Sequence, residues 1–317
     1  MSGSAFAGCA DSPLHQAPRL AAALGLGALT LKRDDRLSFA GGGTKCRKLA
    51  GLERRLAGTS ADTLLLSGGA TSNQVRIMAA FASVTGRACE VFIDAADDAP
   101  AADFARLCGA VVHALPDADA WRLNAAIRSR LKALTGAGRH PVVIPAASAE
   151  DLPCYEAAIA ELGRERMEAD IIVVAAGSGA TSAGFLLGLD RHLPTCRLLA
   201  VSVDRPAAEL RTTIERLVAS TGIAAGGPDL TRIMQRLSID DRSIGAGYGK
   251  PSEASLRATE LAARSEGVLM EPVYTGKALA ALAAIASEGG IARDARVIFW
   301  HTGGVPYLAG SLAGARP

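Results

Sequence analysis

An α/β fold with mostly parallel sheets is what this sequence predicts, and three observations predict it. Short apolar runs alternate with amphipathic helix patterns along most of the chain, as βα units require. Glycine-bearing turns join the runs to the helices. Hydrophobic residues make up 49% of the chain but aromatics only 4%, which calls for a core of Ala, Leu, Val and Ile. With 317 residues the chain exceeds the usual size of one core, so one large α/β domain or two domains are expected.

In order, residues 1–12 read as a loose or disordered tail, 18–24 as a short helix and 28–33 as a strand ending in charge. Glycines 41–43 then give way to a basic, helix-compatible run. Strands are expected at 63–66, 88–93, 111–115, 142–144, 171–174, 198–203 and 296–300. Helices are expected at 74–86, 101–108, 119–134, 154–163 and 185–193. Four consecutive β-branched residues at 171–174 suit a strand covered on both faces. No internal repeat or low-complexity segment stands out, and no linker is marked, so two domains would be joined by chain crossing back and forth.

Composition excludes several classes. Lys and Arg total 34 against 32 Asp and Glu, a formal charge of +2, which gives no electrostatic reason for nucleic acid or an anionic membrane. The cysteines at 9, 46, 89, 108, 154 and 196 form no C-x-x-C pair, which fits free thiols of a reducing compartment. No histidine pair has metal-ligand spacing, so no metal is expected. The apolar stretch 20–31 lacks a cleavage pattern and is too short to span a bilayer, which points to a cytoplasmic protein.

Lysine is scarce: residues 32, 45, 48, 132, 250 and 277 are the whole set. Lys32 and Lys48 stand in charged runs and Lys132 on a polar helix face, while Lys250 and Lys277 follow tyrosine turns and stay open as alternatives. Only Lys45 joins a glycine loop to a helix start, where unsatisfied backbone N–H groups disfavour a second positive charge. A lysine held there is the best Schiff-base candidate in the chain.

Gly177-Ser178-Gly179-Ala180-Thr181 follows an apolar strand and opens a helix, so its backbone N–H groups can wrap a phosphate; a plain tight βα turn is the other reading. It has neither the Lys-Ser/Thr pair of a P-loop nor dinucleotide spacing. Ser72 or Asn73 suits a helix N-cap, and the donors of Ser72, Asn73 and Gln74 would equally attract a carboxylate or ring hydroxyl. Tyr248 and Tyr274, two of four tyrosines, are flanked by Gly and Pro in expected loops. His301-Thr302 ends the last strand, at the edge where ligands of open α/β sheets gather. His301 reads equally as a satisfied strand-end histidine.

Seven stretches together resemble the pyridoxal-phosphate family that contains 1-aminocyclopropane-1-carboxylate deaminase and D-cysteine desulfhydrase. They are KRDD, GGGTKCRKL, SGGATSNQVR, AAGSGATSAG, GAGYGKPSE, EPVYTGKAL and HTGGVP, in that order over residues 32–306. The resemblance implies the two-domain tryptophan-synthase-β-like fold, fold type II, with the cofactor held between two α/β domains. The expected division is residues 1–47 with 160–317 as the larger, cofactor-binding domain and 48–159 as the smaller. A homodimer is implied as well.

By the same resemblance Lys45 carries pyridoxal 5′-phosphate as a Schiff base, Asn73 meets the ring hydroxyl, and Ser72 with Gln74 meets the substrate carboxylate. Gly177, Ser178, Gly179, Ala180 and Thr181 hold the phosphate. Tyr248 and Tyr274 face the substrate and Thr302 meets the pyridine nitrogen. A neutral hydroxyl there makes a weaker electron sink than a carboxylate would, which favours prompt expulsion of a β-leaving group. Thr275 and Thr302 match the desulfhydrase-like members rather than the cyclopropane deaminases. Thr44, Thr71, Ala180, Trp300 and Tyr307 depart from the family pattern. The expected activity is α,β-elimination on a small amino acid such as D-cysteine, cysteate or serine, giving pyruvate and ammonia. β-Replacement and cyclopropane-acid deamination are the enzymatic alternatives. A non-catalytic cofactor carrier or a nucleotide-binding module is the alternative of a different class.

Overall fold

The structure, a computed structural model, describes residues 6–313. The first helix is α1 (Pro18–Ala23), between strands β1 (Leu14–Gln16) and β2 (Ala28–Arg33). Next come α2 (Leu49–Leu56), β3 (Thr63–Gly69), α3 (Asn73–Val84), β4 (Ala88–Asp94), α4 (Pro100–Leu107), β5 (Val111–Ala114), α5 (Ala120–Gly136) and β6 (Pro141–Val143). The second half holds α6 (Leu152–Arg164), β7 (Ile171–Ala176), α7 (Ala180–His192), β8 (Arg197–Ser202), α8 (Ala207–Ala219), α9 (Pro228–Met234) and β9 (Leu237–Asp240). It closes with α10 (Glu253–Glu266), α11 (Thr275–Ser287), β10 (Arg296–His301) and α12 (Leu308–Ala313).

The chain divides into two compact units, with residues 6–7 and 48–146 of the described range in the smaller and 8–47 plus 147–313 in the larger. The return crossing therefore lies at 146/147, ahead of the expected 159/160, and α6 belongs wholly to the larger unit. The smaller unit has four parallel strands in the order β5-β4-β3-β6. Leu65 and Phe92 of its sheet pack with Ile127 and Leu134 of α5.

The larger sheet runs β1-β2-β10-β7-β8-β9, parallel throughout except for β1. Strand periodicity explains its two cores. Ile172, Val174, Leu198, Ala200, Ile298 and Trp300 face one layer of helices, while Ile171, Val173, Leu199, Val201, Val297 and Phe299 face the other. In the first layer α6 and α7 cross closely. A Cβ on Gly184 would stand 2.5 Å from that of Tyr155, so only glycine permits the crossing.

The expected strands are all present, each within a few residues of its expected ends. The short β1 and β9 and the helices α8 to α12 were not anticipated. The loose tail expected at 1–12 is corrected in part: residues 1–5 lie outside the described range, but Ser12 is buried. Its hydroxyl donates to Asp34 Oδ1 at 2.7 Å and its carbonyl accepts from Lys32 Nζ at 2.5 Å. Lys32 and Lys48 are buried too, not solvated members of charged runs. Lys32 Nζ lies 2.9 Å from Glu161 Oε2, and Lys48 Nζ donates to Gln74 Oε1 at 3.4 Å. Buried ammonium groups persist only where such partners exist.

Candidate active site

In the larger unit, β2, β10, β7 and β8 run parallel, so their carboxyl ends share one edge. Lys45, the loop 177–181 and Thr302 lie on segments leaving that edge, after β2, β7 and β10. Lys45 follows β2 in a single 3₁₀ turn, Thr44–Lys48, just ahead of α2. Its Nζ donates to the Tyr155 hydroxyl at 3.5 Å and stands 5.7 Å from the centre of that ring. Tyr155 is fully buried on α6 and also hydrogen-bonds Thr181. Burial pushes its phenol well above the usual value, so it is held as a proton donor.

Tyr155 was missed by sequence reasoning because a tyrosine in the middle of a helix reads as core. The signal that could have found it is the glycine pair Gly184 and Gly188 on α7, spaced for a close helix crossing. Tyr155 joins Lys45 to the loop expected to hold phosphate.

That loop, 177–181, leaves β7 and opens α7. Gly179 is the N-cap with φ +85°, and no side chain caps the helix. The first N–H groups of a helix have no intrahelical partners, and here they meet the positive end of the dipole. Ser182 Oγ, in the first turn, is buried without a protein partner. An uncapped glycine turn with an orphaned hydroxyl fits a bound phosphate monoester.

Tyr274 lies in the turn ahead of α11, as expected, and is that helix's N-cap; α11 starts there because Glu271 satisfies its first turn. The Glu271 carboxylate accepts from the N–H groups of Val273 at 2.7 Å, Tyr274 at 2.9 Å and Thr275 at 2.8 Å. Burial nonetheless raises the pKa of Glu271, with those three hydrogen bonds and one from the Thr275 hydroxyl opposing it. The Tyr274 and Tyr248 hydroxyls are 2.6 Å apart. Burial, then the neighbouring Tyr248, raises the Tyr274 phenol well above its usual range. A Cβ on Gly177 would lie 3.4 Å from the Tyr274 ring, which sets the tyrosine pair beside the loop 177–181.

Thr302 leaves β10, and its carbonyl accepts the Thr44 N–H at 2.9 Å, tying it to the segment that carries Lys45. His301 is a satisfied strand-end histidine. It is fully buried, with Nε2 2.8 Å from the Leu269 carbonyl and Nδ1 accepting the Gly303 N–H at 3.2 Å. Burial lowers its pKa, so it stays neutral.

The smaller unit presents Ser72, Asn73 and Gln74 at the start of α3. Ser72 is its N-cap and accepts the Val75 N–H at 3.3 Å. Asn73 Oδ1 accepts from Arg76 at 2.8 Å. Gln74 is buried and committed at both ends, its Nε2 donating to the Pro145 carbonyl at 2.9 Å and its Oε1 accepting from Lys48. Among the described residues no cluster of His, Cys, Asp and Glu could hold a metal. No helix among them is long and apolar enough to cross a membrane.

Lys45 is linked through Tyr155 to Thr181 at an uncapped helix start, at the carboxyl edge of a mostly parallel sheet, and the fold is that of the fold type II pyridoxal-phosphate-dependent enzymes. The model of the pyridoxal-phosphate-dependent enzyme family matches residues 6–303, and the chain belongs to that family. It is 34% identical to a D-cysteine desulfhydrase of Salmonella newport, covering 94% of this chain and 93% of that one. The Salmonella choleraesuis D-cysteine desulfhydrase is 33% identical over the same shares. Among solved structures, an ACC deaminase homologue superposes with a TM-score of 0.83 at 25% identity, over 96% of this chain and 93% of that one. A fungal L-serine ammonia-lyase from Rhizomucor miehei shares the fold, with a TM-score of 0.70 at 16% identity over 96% of each chain.

Proposed function

We propose that this enzyme is a lyase that eliminates the β-substituent of a small amino acid, D-cysteine first, with cysteate and serine next. One observation carries the reading: two tyrosine hydroxyls 2.6 Å apart stand beside the phosphate loop, on the edge where Lys45 lies. Such a pair supplies a proton to a leaving group, which is what β-elimination needs beyond a base. The 34% identity to D-cysteine desulfhydrase supports the same choice.

The chain's residues take their roles from chemistry. Gly177, Ser178, Gly179, Ala180 and Thr181 hold the cofactor phosphate, Asn73 its ring hydroxyl, and Thr302 its ring nitrogen. Lys45 anchors it. When bound, pyridoxal phosphate supplies an aldehyde for the substrate amine and an electron sink for the α-carbon. Ser72 and the first N–H groups of α3 bind the substrate carboxylate, with Gln74 held in place behind them. Lys45 Nζ takes the α-proton. Tyr274, kept protonated, gives its proton to the departing β-sulfur and recovers one through Tyr248. With D-cysteine and one water the balance is hydrogen sulfide, pyruvate and ammonia.

The six cysteines, all free, support a reducing, cytoplasmic setting. The homodimer rests on family resemblance.

The test is a substrate screen on purified protein. The wild type should be yellow and release pyruvate from D-cysteine, and Lys45→Ala should be colourless and inactive. A colourless wild type overturns the reading. Release of 2-oxobutyrate from 1-aminocyclopropane-1-carboxylate, without pyruvate from D-cysteine, would assign the cyclopropane acid instead.

A further inference from the structure

Lys277 is fully buried on α11, one helical turn beyond Tyr274, and none of the roles above uses it. Its Nζ donates to the carbonyls of Ile244 at 2.7 Å and Gly247 at 3.0 Å. The segment it grips is poorly determined by its own chemistry. Gly245, Gly247 and Gly249 all have positive φ, at 63°, 118° and 75°. Glycines free to take that region lose the most entropy on ordering. Tyr248 stands among them, next to a carbonyl that Lys277 holds, and its hydroxyl meets Tyr274, three residues before Lys277 on the same helix.

We propose that Lys277 is a positioning residue that clamps residues 244–247 to α11 and thereby sets the Tyr248 hydroxyl against that of Tyr274. The residue type fits the task. One ammonium carries three donors and reaches two carbonyls from a single atom, where the thioether of methionine has no donor to offer. Burial lowers the pKa of Lys277, with Glu271 and Asp204 acting the other way. The two carbonyls take up donors that would otherwise stand orphaned in the core.

The test rests on the elimination reading in one arm only. In the first arm, hydrogen exchange of the segment 243–250 is compared in cofactor-loaded wild type and Lys277→Met. Exchange there should quicken at least about tenfold while segments 41–49 and 177–184 keep their rates. Lys277→Gln, which can still donate to one carbonyl, should fall between the two, and it serves alone if the methionine variant does not fold. Unchanged exchange in 243–250 overturns the proposal. In the second arm, pyruvate release from D-cysteine is measured for Lys277→Met, Tyr248→Phe and the double variant. Each single change should lower kcat about tenfold with little change in KM, and the double should be within about twofold of Tyr248→Phe. Equal losses in both backgrounds overturn the proposal. A wild type that releases no pyruvate sinks the substrate assignment, and the exchange arm still decides Lys277.

Discussion

Thr44 Oγ1 donates to Asp34 Oδ2 at 2.7 Å. The same carboxylate takes Arg47 Nε at 2.8 Å and its NH2 at 2.7 Å, so one buried anion grips the turn carrying Lys45 from both sides. Arg47 also pairs with Glu161 of α6. Thr44, which has no explanation in the sequence, is therefore a strut. Asp34→Asn should leave Arg47 with Glu161 as its one remaining carboxylate and cost stability at the low end of about 3–5 kcal/mol in urea unfolding. Thr44→Val should cost about 1.5–3 kcal/mol, the worth of a hydrogen bond to a charged group. Burial works to raise the Asp34 pKa, but the Arg47 charge and hydrogen bonds prevail and hold it below its ordinary 3.8. Its stability contribution is thus present above about pH 4 and lost as acid carries the pH down through the folded value.

Tyr155→Phe removes the hydroxyl that joins Lys45 to Thr181. The phenylalanine ring keeps the close packing on Gly184, so folding should be little affected. Cofactor uptake should persist, and kcat for pyruvate release should fall about tenfold to a hundredfold, the range of a hydrogen bond to a charged partner. Full activity would remove Tyr155 from the site.

Gly179→Ala tests the phosphate cradle. The position has φ +85°, and a Cβ would meet Ile214 Cγ1 at 3.1 Å. A residue forced into the left-handed region costs about 1–2 kcal/mol, and the distorted helix start should weaken retention of pyridoxal phosphate about tenfold or more. Dialysis followed by absorbance of the bound cofactor measures it. Retention equal to wild type would move the phosphate elsewhere.

His301 makes a different pH prediction. Its folded pKa lies below the ordinary 6.5, so below that pH the unfolded chain binds a proton that the folded one refuses. Stability should fall as pH drops from about 6.5 toward the folded value and stay level above it. His301→Gln should flatten that slope in unfolding curves taken between pH 7.5 and 5.5.

Much of the site was legible because chemistry-bearing residues stand in local motifs. The glycine turn before Lys45, the loop 177–181 and the Ser72 cap are each read from a few consecutive residues, and all three occur at strand–helix junctions. Tyr274 was legible as a residue placed by backbone but not as a helix N-cap, because the group that starts α11 is the Glu271 side chain folding back. Tyr155 was missed because a tyrosine inside a helix pattern gives no sign of what the opposite side of the layer brings to it. Lys277 was noted after a tyrosine turn, but its grip on the carbonyls of Ile244 and Gly247 is a contact only folding makes.

The sequence by itself determined the α/β class, the parallel strands and the order of the motifs, because strand and helix periods and glycine turns are local. It also determined the family, since seven ordered motifs are a property of the chain. Only the tertiary structure decided which charges are buried. Lys32, Arg47 and Lys48 look solvated in a charged run, yet each finds its partner far along the chain, in Glu161, Asp34 or Gln74. Burial of a charge depends on a partner reached through folding, and sequence proximity carries no record of it.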